Sequence, residues 1–176
     1  DLSRAYVNNG GDIALYLAQG ASFKTAMRRH DGRDLGHIVI TSDDPARGIA
    51  TSGRHGRSLS LGIADSVTVL ARTAATADVA ATLIGNAVDL PGHPAIMRRP
   101  AHDVVDDSDL RETPVVVGCM SMSGAEAEEA LATGQACAMH MLSRDMICAA
   151  ACFLQDHVTT TNKHMLQTQM TELLYA

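Results

Sequence analysis

Ser66-Val67-Thr68-Val69-Leu70-Ala71-Arg72-Thr73-Ala74-Ala75-Thr76-Ala77-Asp78-Val79-Ala80-Ala81-Thr82-Leu83-Ile84-Gly85-Asn86-Ala87-Val88 changes its period partway along, and that change decides the fold class. Residues 66–70 are rich in β-branched side chains, which suits a strand. From Thr73 the segment is Ala-rich and free of Gly until Gly85, with apolar residues at Ala77, Ala80, Ala81, Ile84 and Val88, which predicts a helix. Pro91-Gly92-His93-Pro94 stops it.

Toward the N-terminus the strand signals multiply. Residues 2–8 read as the end of an element running into a turn at 8–12, and residues 13–17 form a short apolar strand. A turn at Gln19-Gly20 leads to a hairpin partner over 22–28. Residues 37–41 are a strong strand, ended by Asp43-Asp44-Pro45 because Pro cannot donate to a ladder, and 48–51 are another short one. Toward the C-terminus, residues 98–111 read as loop and 114–120 as strand. Residues 124–142 read as a helix with Glu126, Glu128 and Glu129 near its positive end. Residues 146–161 are ambiguous: their Ala and Cys suit a helix, while Val158-Thr159-Thr160-Thr161 suits a strand. The tail, 164–174, has helical content that would cap the domain. Strands first and helices interspersed later predict an α+β fold with mostly antiparallel pairing.

The 176 residues form a single domain by length, 46% hydrophobic but only 3% aromatic and without Trp, so Ala, Leu, Val, Ile and Met must fill the core. A formal charge of −6 argues against a nucleic-acid or anionic-membrane partner, and Arg28-Arg29-His30 and Arg98-Arg99 read as solvated surface. No apolar run approaches the roughly 18–20 residues of a membrane span, and a cytoplasmic location is expected. Because the chain opens at Asp1 without Met, we expect a fragment or product of a longer chain. Its own missing N-terminal part or another copy of the chain would then be a partner. The four cysteines form no CxxC pair. Cys148 and Cys152 would share a helix face, a metal or redox hint set against the plainer reading of reduced, buried thiols.

Three segments carry chemistry. In Asn8-Asn9-Gly10-Gly11-Asp12, two glycines permit positive φ and close approach of a ligand to the backbone; the plain alternative is a hairpin turn. In Thr51-Ser52-Gly53-Arg54-His55-Gly56-Arg57-Ser58, free amides, hydroxyls and the guanidinium forks of Arg54 and Arg57 are what phosphate recognition uses. It is neither a Walker loop nor a dinucleotide fingerprint, and the alternative is a surface loop. His55 titrates near neutral pH and is a candidate proton donor or acceptor, or a passive ligand contact. Asp78 and Thr82, one helical turn apart, offer two oxygens to a hard cation such as Mg²⁺; otherwise Asp78 faces solvent.

With these blocks in order, the chain resembles the ApbE-like superfamily, which includes the FAD:protein FMN transferases. It is more closely similar to an uncharacterised branch of it, through Asn-Asn-Gly-Gly-Asp-Ile at 8–13, Ala-Thr-Ser-Gly at 50–53 with Gly-Arg-Ser at 56–58, and Gly-Ile-Ala-Asp-Ser-Val-Thr-Val at 62–69. The likeness continues through Asp78 and Thr82 to residues 86–89. The resemblance implies a T-fold-like α+β architecture, Mg²⁺ at Asp78 and Thr82, and a flavin nucleotide (FAD or FMN) bound near Asn9, Gly10, Gly11, Asp12, Thr51, Ser52 and Gly53. The His-x-x-Asp-Pro-x-Thr-Gly block of the flavin transferases is replaced by Ser58-Leu59-Ser60-Leu61-Gly62-Ile63-Ala64-Asp65. Two functions are therefore carried forward, beside a third reading as a purely structural domain whose glycine turns only connect strands. One is Mg²⁺-assisted binding of a phosphate-bearing small molecule, with a nucleotidyl or phosphoryl transfer clamped by Arg54 and Arg57. The other is a non-catalytic ligand-binding or assembly module that kept the fold.

Overall fold

The structure, a computed structural model, describes residues 2–162 and 166–168. Its strands are β1 (Arg4–Asn9), β2 (Asp12–Leu17), β3 (Ser22–Arg28), β4 (Asp34–Thr41), β5 (Gly48–Ser52), β6 (Ser66–Ala71), β7 (Ile96–Pro100), β8 (Pro114–Cys119), β9 (Ala149–Leu154), β10 (His157–Thr160) and β11 (Leu166–Thr168). Two helices, α1 (Ala74–Ala87) and α2 (Gly124–Ser143), complete the elements that matter for the site. A six-stranded sheet runs β1-β2-β5-β6-β9-β10, a three-stranded one β11-β4-β3, and β7 pairs with β8. Every pairing among the described residues is antiparallel, so the α+β class with antiparallel strands and packed helices holds.

The six-stranded sheet is covered on both faces, and its central strands carry the reason in their alternation. On β6, Val67, Val69 and Ala71 join the core under the helices, while Leu70 joins the core facing β3 and β4. On β9, Ala150, Cys152 and Leu154 face the helices and Ala149, Ala151 and Phe153 face the small sheet. A strand buried on both sides is apolar throughout, which erases the two-residue period that would have announced it. That is why residues 146–161 read ambiguously. They form the β9–β10 hairpin, turned at Gln155-Asp156 with Gln155 at φ 53°.

Small residues set how closely the layers approach. Helix α1 presents Ala77, Ala80, Ala81, Ile84 and Gly85 to the sheet, and α2 presents Ala127, Ala130, Leu131, Gly134, Ala138 and Met141. Both helices start on side-chain caps. Thr73 accepts from the Thr76 amide, and Ser123 with Glu126 forms a reciprocal capping box. The Ser123 hydroxyl and His93 on its carboxylate hold Glu126 down to about 2.

Four expectations need correction. Residues 22–28 form a strand, but it pairs with β4 in the small sheet and is no hairpin partner of 13–17, whose neighbours are β1 and β5. Residues 98–100, read as loop, belong to β7, because Arg98 anchors on the Leu61 carbonyl and on Asp89 and so is a fixed strand residue rather than solvated surface. Cys148 and Cys152 share no helix face, since Cys152 lies on β9, where burial pushes its thiol up to about 12. Residues 166–168 of the tail pair with β4 as a strand instead of a helix, and the remainder of that expected helix lies outside the described residues. Among the described residues no helix is long and apolar enough to cross a membrane.

Phe153 is 1% exposed and, among the described residues, is the fully buried aromatic of a core made otherwise of aliphatics. Phe153→Ala should lower stability by roughly 3–5 kcal/mol in urea denaturation; a loss under about 1 kcal/mol would mean that the two layers close over the gap.

Candidate functional site

The β1–β2 turn is built by its glycines. Gly10 has φ 68° and Gly11 φ 115°, and the Gly11 amide donates to Asn8 Oδ1 at 3.0 Å. A Cβ on Gly10 would lie 2.5 Å from Arg57 Nη2, so the bare backbone lets the guanidinium lie across the turn. That brings a cation from the loop after β5 onto the turn between β1 and β2.

The loop after β5 is held from below by a buried carboxylate. Gly53, at φ 146°, packs its bare face on the Asp65 backbone, and the Arg54 amide donates to the Ala64 carbonyl at 2.9 Å. The Asp65 side chain is 5% exposed. Its Oδ1 accepts from Arg54 Nε at 2.9 Å and from His55 Nε2 at 3.2 Å, and forms an ion pair with Arg54 Nη2 at 2.6 Å. Its Oδ2 accepts from the Gln155 amide at 2.6 Å. A charge this deep needs such partners. The His55 ring also stacks on His30, centroids 3.8 Å apart and planes 20° apart. Burial and then the Arg54 guanidinium pull His55 below the usual imidazole range, against the upward effect of Asp65.

Above this loop opens a cleft of about 300 Å³ lined by three separate elements. The turn contributes Asn9, Gly10 and Asp12. The β5 end and its loop contribute Thr51, Ser52, Gly53, His55, Gly56, Arg57 and the segment 58–60. Helix α1 contributes Asp78, Thr82 and Asn86. The arginine loop and the acidic spot on α1, some twenty residues apart in the chain, thus meet. Asn86 ties them further, its Oδ1 accepting from the Leu61 amide at 3.0 Å.

Two of the expected residues stand elsewhere. Arg54 does not line the cleft, because its guanidinium is turned down onto Asp65; it props the loop and does not reach into the cleft as a clamp. Gly11 lines a neighbouring cavity of about 210 Å³ between the large sheet and β3–β4, which also receives Thr51, itself within 3.0 Å of the Thr68 hydroxyl.

The electrostatics of the cleft are mixed. Burial first, and then the negative charge of Asp78, raise Asp12 above the ordinary carboxylate range, with Arg57 opposing. Two carboxylates that feel each other, plus the Thr82 hydroxyl, form an oxygen set that suits a hard cation. Among the described residues no cluster of three or more His, Cys, Asp or Glu is gathered that could hold a metal ion, so any cation here would lean on the hydroxyl and on its own ligand's oxygens.

Sequence reasoning missed Asp65, Asn86 and Ser60. For Asp65 a signal existed: a lone carboxylate inside Gly62-Ile63-Ala64-Asp65-Ser66-Val67 has to find a buried partner. Asn86 and Ser60 carried none, since their roles depend on the loop folding back on α1.

The family described as AbpE bacteria matches residues 1–161, and the chain belongs to it. Three relatives are each called UPF0280 protein. That of Methanosarcina acetivorans is 34% identical over 87 residues, 49% of this chain and 34% of the relative. That of Methanothermobacter thermautotrophicus is 38% identical over 87 residues, 48% of this chain and 33% of the relative. That of Methanothrix thermoacetophila is 30% identical over 122 residues, 69% of this chain and 47% of the relative. The chain therefore spans between a third and a half of the length of these curated relatives. Family and relatives together fit the ApbE-like resemblance seen in the sequence blocks.

Asp65→Ala should cost roughly 3–5 kcal/mol in urea denaturation, since it strands the Arg54 guanidinium and the Gln155 amide; a cost under about 1 kcal/mol would show that water replaces the carboxylate. Asp12 makes a pH prediction. Because its folded pKa is raised, its contribution to stability is complete below the unfolded carboxylate value and is lost as pH rises through the folded value. Asp12→Asn should therefore melt higher than the parent at neutral pH without divalent cations, and the two melting temperatures should converge at acidic pH. A lower melting temperature for the variant at neutral pH would contradict the raised value.

Proposed function

We propose that this member of the AbpE bacteria family binds a phosphate-bearing small molecule together with Mg²⁺ in the cleft between the β1–β2 turn, the Gly53–Arg57 loop and α1, with FAD and FMN as the first candidate ligands. One observation carries the reading: Gly10, Arg57, Asp78 and Thr82 come from three elements and line one cleft. The division of labour follows from charge. Arg57 and the hydroxyls of Thr51, Ser52 and Ser58 suit phosphate oxygens, and the bare backbone at Gly10 lets the Arg57 guanidinium lie across the turn beside them. Asp78 and Thr82, with Asp12 nearby, would hold the cation, whose contribution when bound is to neutralise charge on the phosphate oxygens.

The finer likeness to the uncharacterised ApbE-like branch belongs to the same proposal, as does completion of the site by a further segment of a longer protein or by another copy. So does a catalytic role. If the protein is an enzyme, transfer at a pyrophosphate fits best, with Arg57 as the guanidinium on the developing charge. The alternative, a binding or assembly module without transfer, is favoured by one specific feature. The interval that carries His-x-x-Asp-Pro-x-Thr-Gly in the flavin transferases is here Ser58 to Asp65, and past its first residues, which line the cleft, it is spent on packing: the Ser60 hydroxyl donates to the Gly62 carbonyl at 2.9 Å and Asp65 is buried. Mass spectrometry of a threonine-containing acceptor after incubation with FAD separates the two, an FMN adduct removing the binding-only reading.

Calorimetric titration with FAD, FMN and ADP, with and without Mg²⁺, tests the ligand class. Binding should depend on Mg²⁺ and weaken at least about tenfold in Asp78→Ala and in Arg57→Ala, the scale of losing one charge-assisted contact. Absence of binding by all three, or affinities unchanged in both variants, would overturn the proposal.

A further inference from the structure

His55 has two ring nitrogens, and the fold has already committed one. Nε2 lies 3.2 Å from Asp65 Oδ1, and an ionised carboxylate only accepts, so Nε2 carries the hydrogen. Asp65 cannot turn away, because Arg54 holds the same oxygen twice and the Gln155 amide holds the other. The ring plane is fixed by the stack on His30. His55 nonetheless lines the cleft, and about a quarter of its side chain is exposed. Among the described residues, Nδ1 has no hydrogen-bond partner.

We infer that His55, anchored through Nε2 on Asp65, is the proton-exchanging group of the cleft: Nδ1 is unprotonated in the free protein and takes up a proton when a phosphate group binds beside it. The inference rests on the reading of the cleft as a phosphate site. It adds the residue that couples binding to pH, and it makes Asp65 a positioning residue acting through His55.

The charges facing the ring set the direction. Burial, Arg54 and the neighbouring His30 disfavour imidazolium in the free protein, while Asp65 favours it. An ionised phosphate oxygen accepts hydrogen bonds and donates none, so beside a bare Nδ1 it meets lone pair against lone pair. Protonating Nδ1 converts that repulsion into a charge-assisted hydrogen bond. The imidazolium is then flanked by two anions, the ligand ahead and Asp65 behind. No bond within the ligand breaks; the proton comes from solvent and returns there on release. Affinity should therefore fall as pH rises, by up to about tenfold per pH unit between the free and bound pKa values of His55.

Two measurements on the intact protein test this. Long-range ¹H–¹⁵N correlation of the imidazoles in the free protein at neutral pH should show His55 as the neutral Nε2–H tautomer. Calorimetric titration with Mg²⁺ and inorganic pyrophosphate, in buffers of different ionisation enthalpy, should show proton uptake on binding that is lost in His55→Gln while binding persists. Asp65→Asn, where it folds, should mix the His55 tautomers and move uptake to lower pH, an effect that mere loosening of the loop does not produce. An Nδ1–H tautomer, a free His55 already charged at neutral pH, or pyrophosphate binding without proton uptake overturns the inference while leaving the phosphate site standing. Absence of pyrophosphate binding removes both.

Discussion

The buried carboxylate of Asp65 is the constraint on which the site depends. One side chain, nearly shut off from water, binds the guanidinium of Arg54, the imidazole of His55 and the amide that turns the β9–β10 hairpin. It thereby joins the loop after β5 to the opposite end of the chain. Desolvating a carboxylate costs several kcal/mol unless its acceptor positions are filled, and here they are. The loop consequently has a fixed floor, and the residues on its upper side, Gly56 and Arg57, are presented to the cleft.

The layers explain why the loop and α1 meet at all. β5, β6 and α1 follow one another in sequence and pack side by side, with Ala50, Val67, Val69, Ala77 and Ala81 in one core. Such small residues let the helix approach the sheet closely, so that Asp78 and Thr82, on the exposed flank of α1, stand beside the end of β5. The same packing leaves Asp78 near Asp12 at the start of β2. Two like charges beside one cleft are a cost in the free protein that Arg57 offsets only in part at Asp12. The Mg²⁺ of the proposed function would relieve the remainder.

Much of this was legible in the chain. The shift of period at Ala71-Arg72-Thr73 marked the β6–α1 passage, and the β-branched runs marked β4 and β6. The sequence blocks also named most of the residues that line the cleft. What failed had physical causes. β9 is apolar on both faces, so its period vanished. β7 contains two arginines and reads as polar, although Arg98 is fixed by Leu61 and Asp89. Arg54 and Arg57 look equivalent three positions apart, yet one is consumed below the loop and the other lies across Gly10. Only the position of Asp65 distinguishes them, and that depends on contacts ninety residues away in the chain.

The proposed site requires three elements to converge on one phosphate group. Backbone amide shifts followed by NMR during addition of Mg²⁺ and pyrophosphate address this most directly. The largest changes should fall together at residues 9–12, 53–58 and 78–82, and should saturate along one binding curve. Changes confined to a single one of these segments, or centred on the separate surface around His93 and Glu126, would contradict the shared cleft.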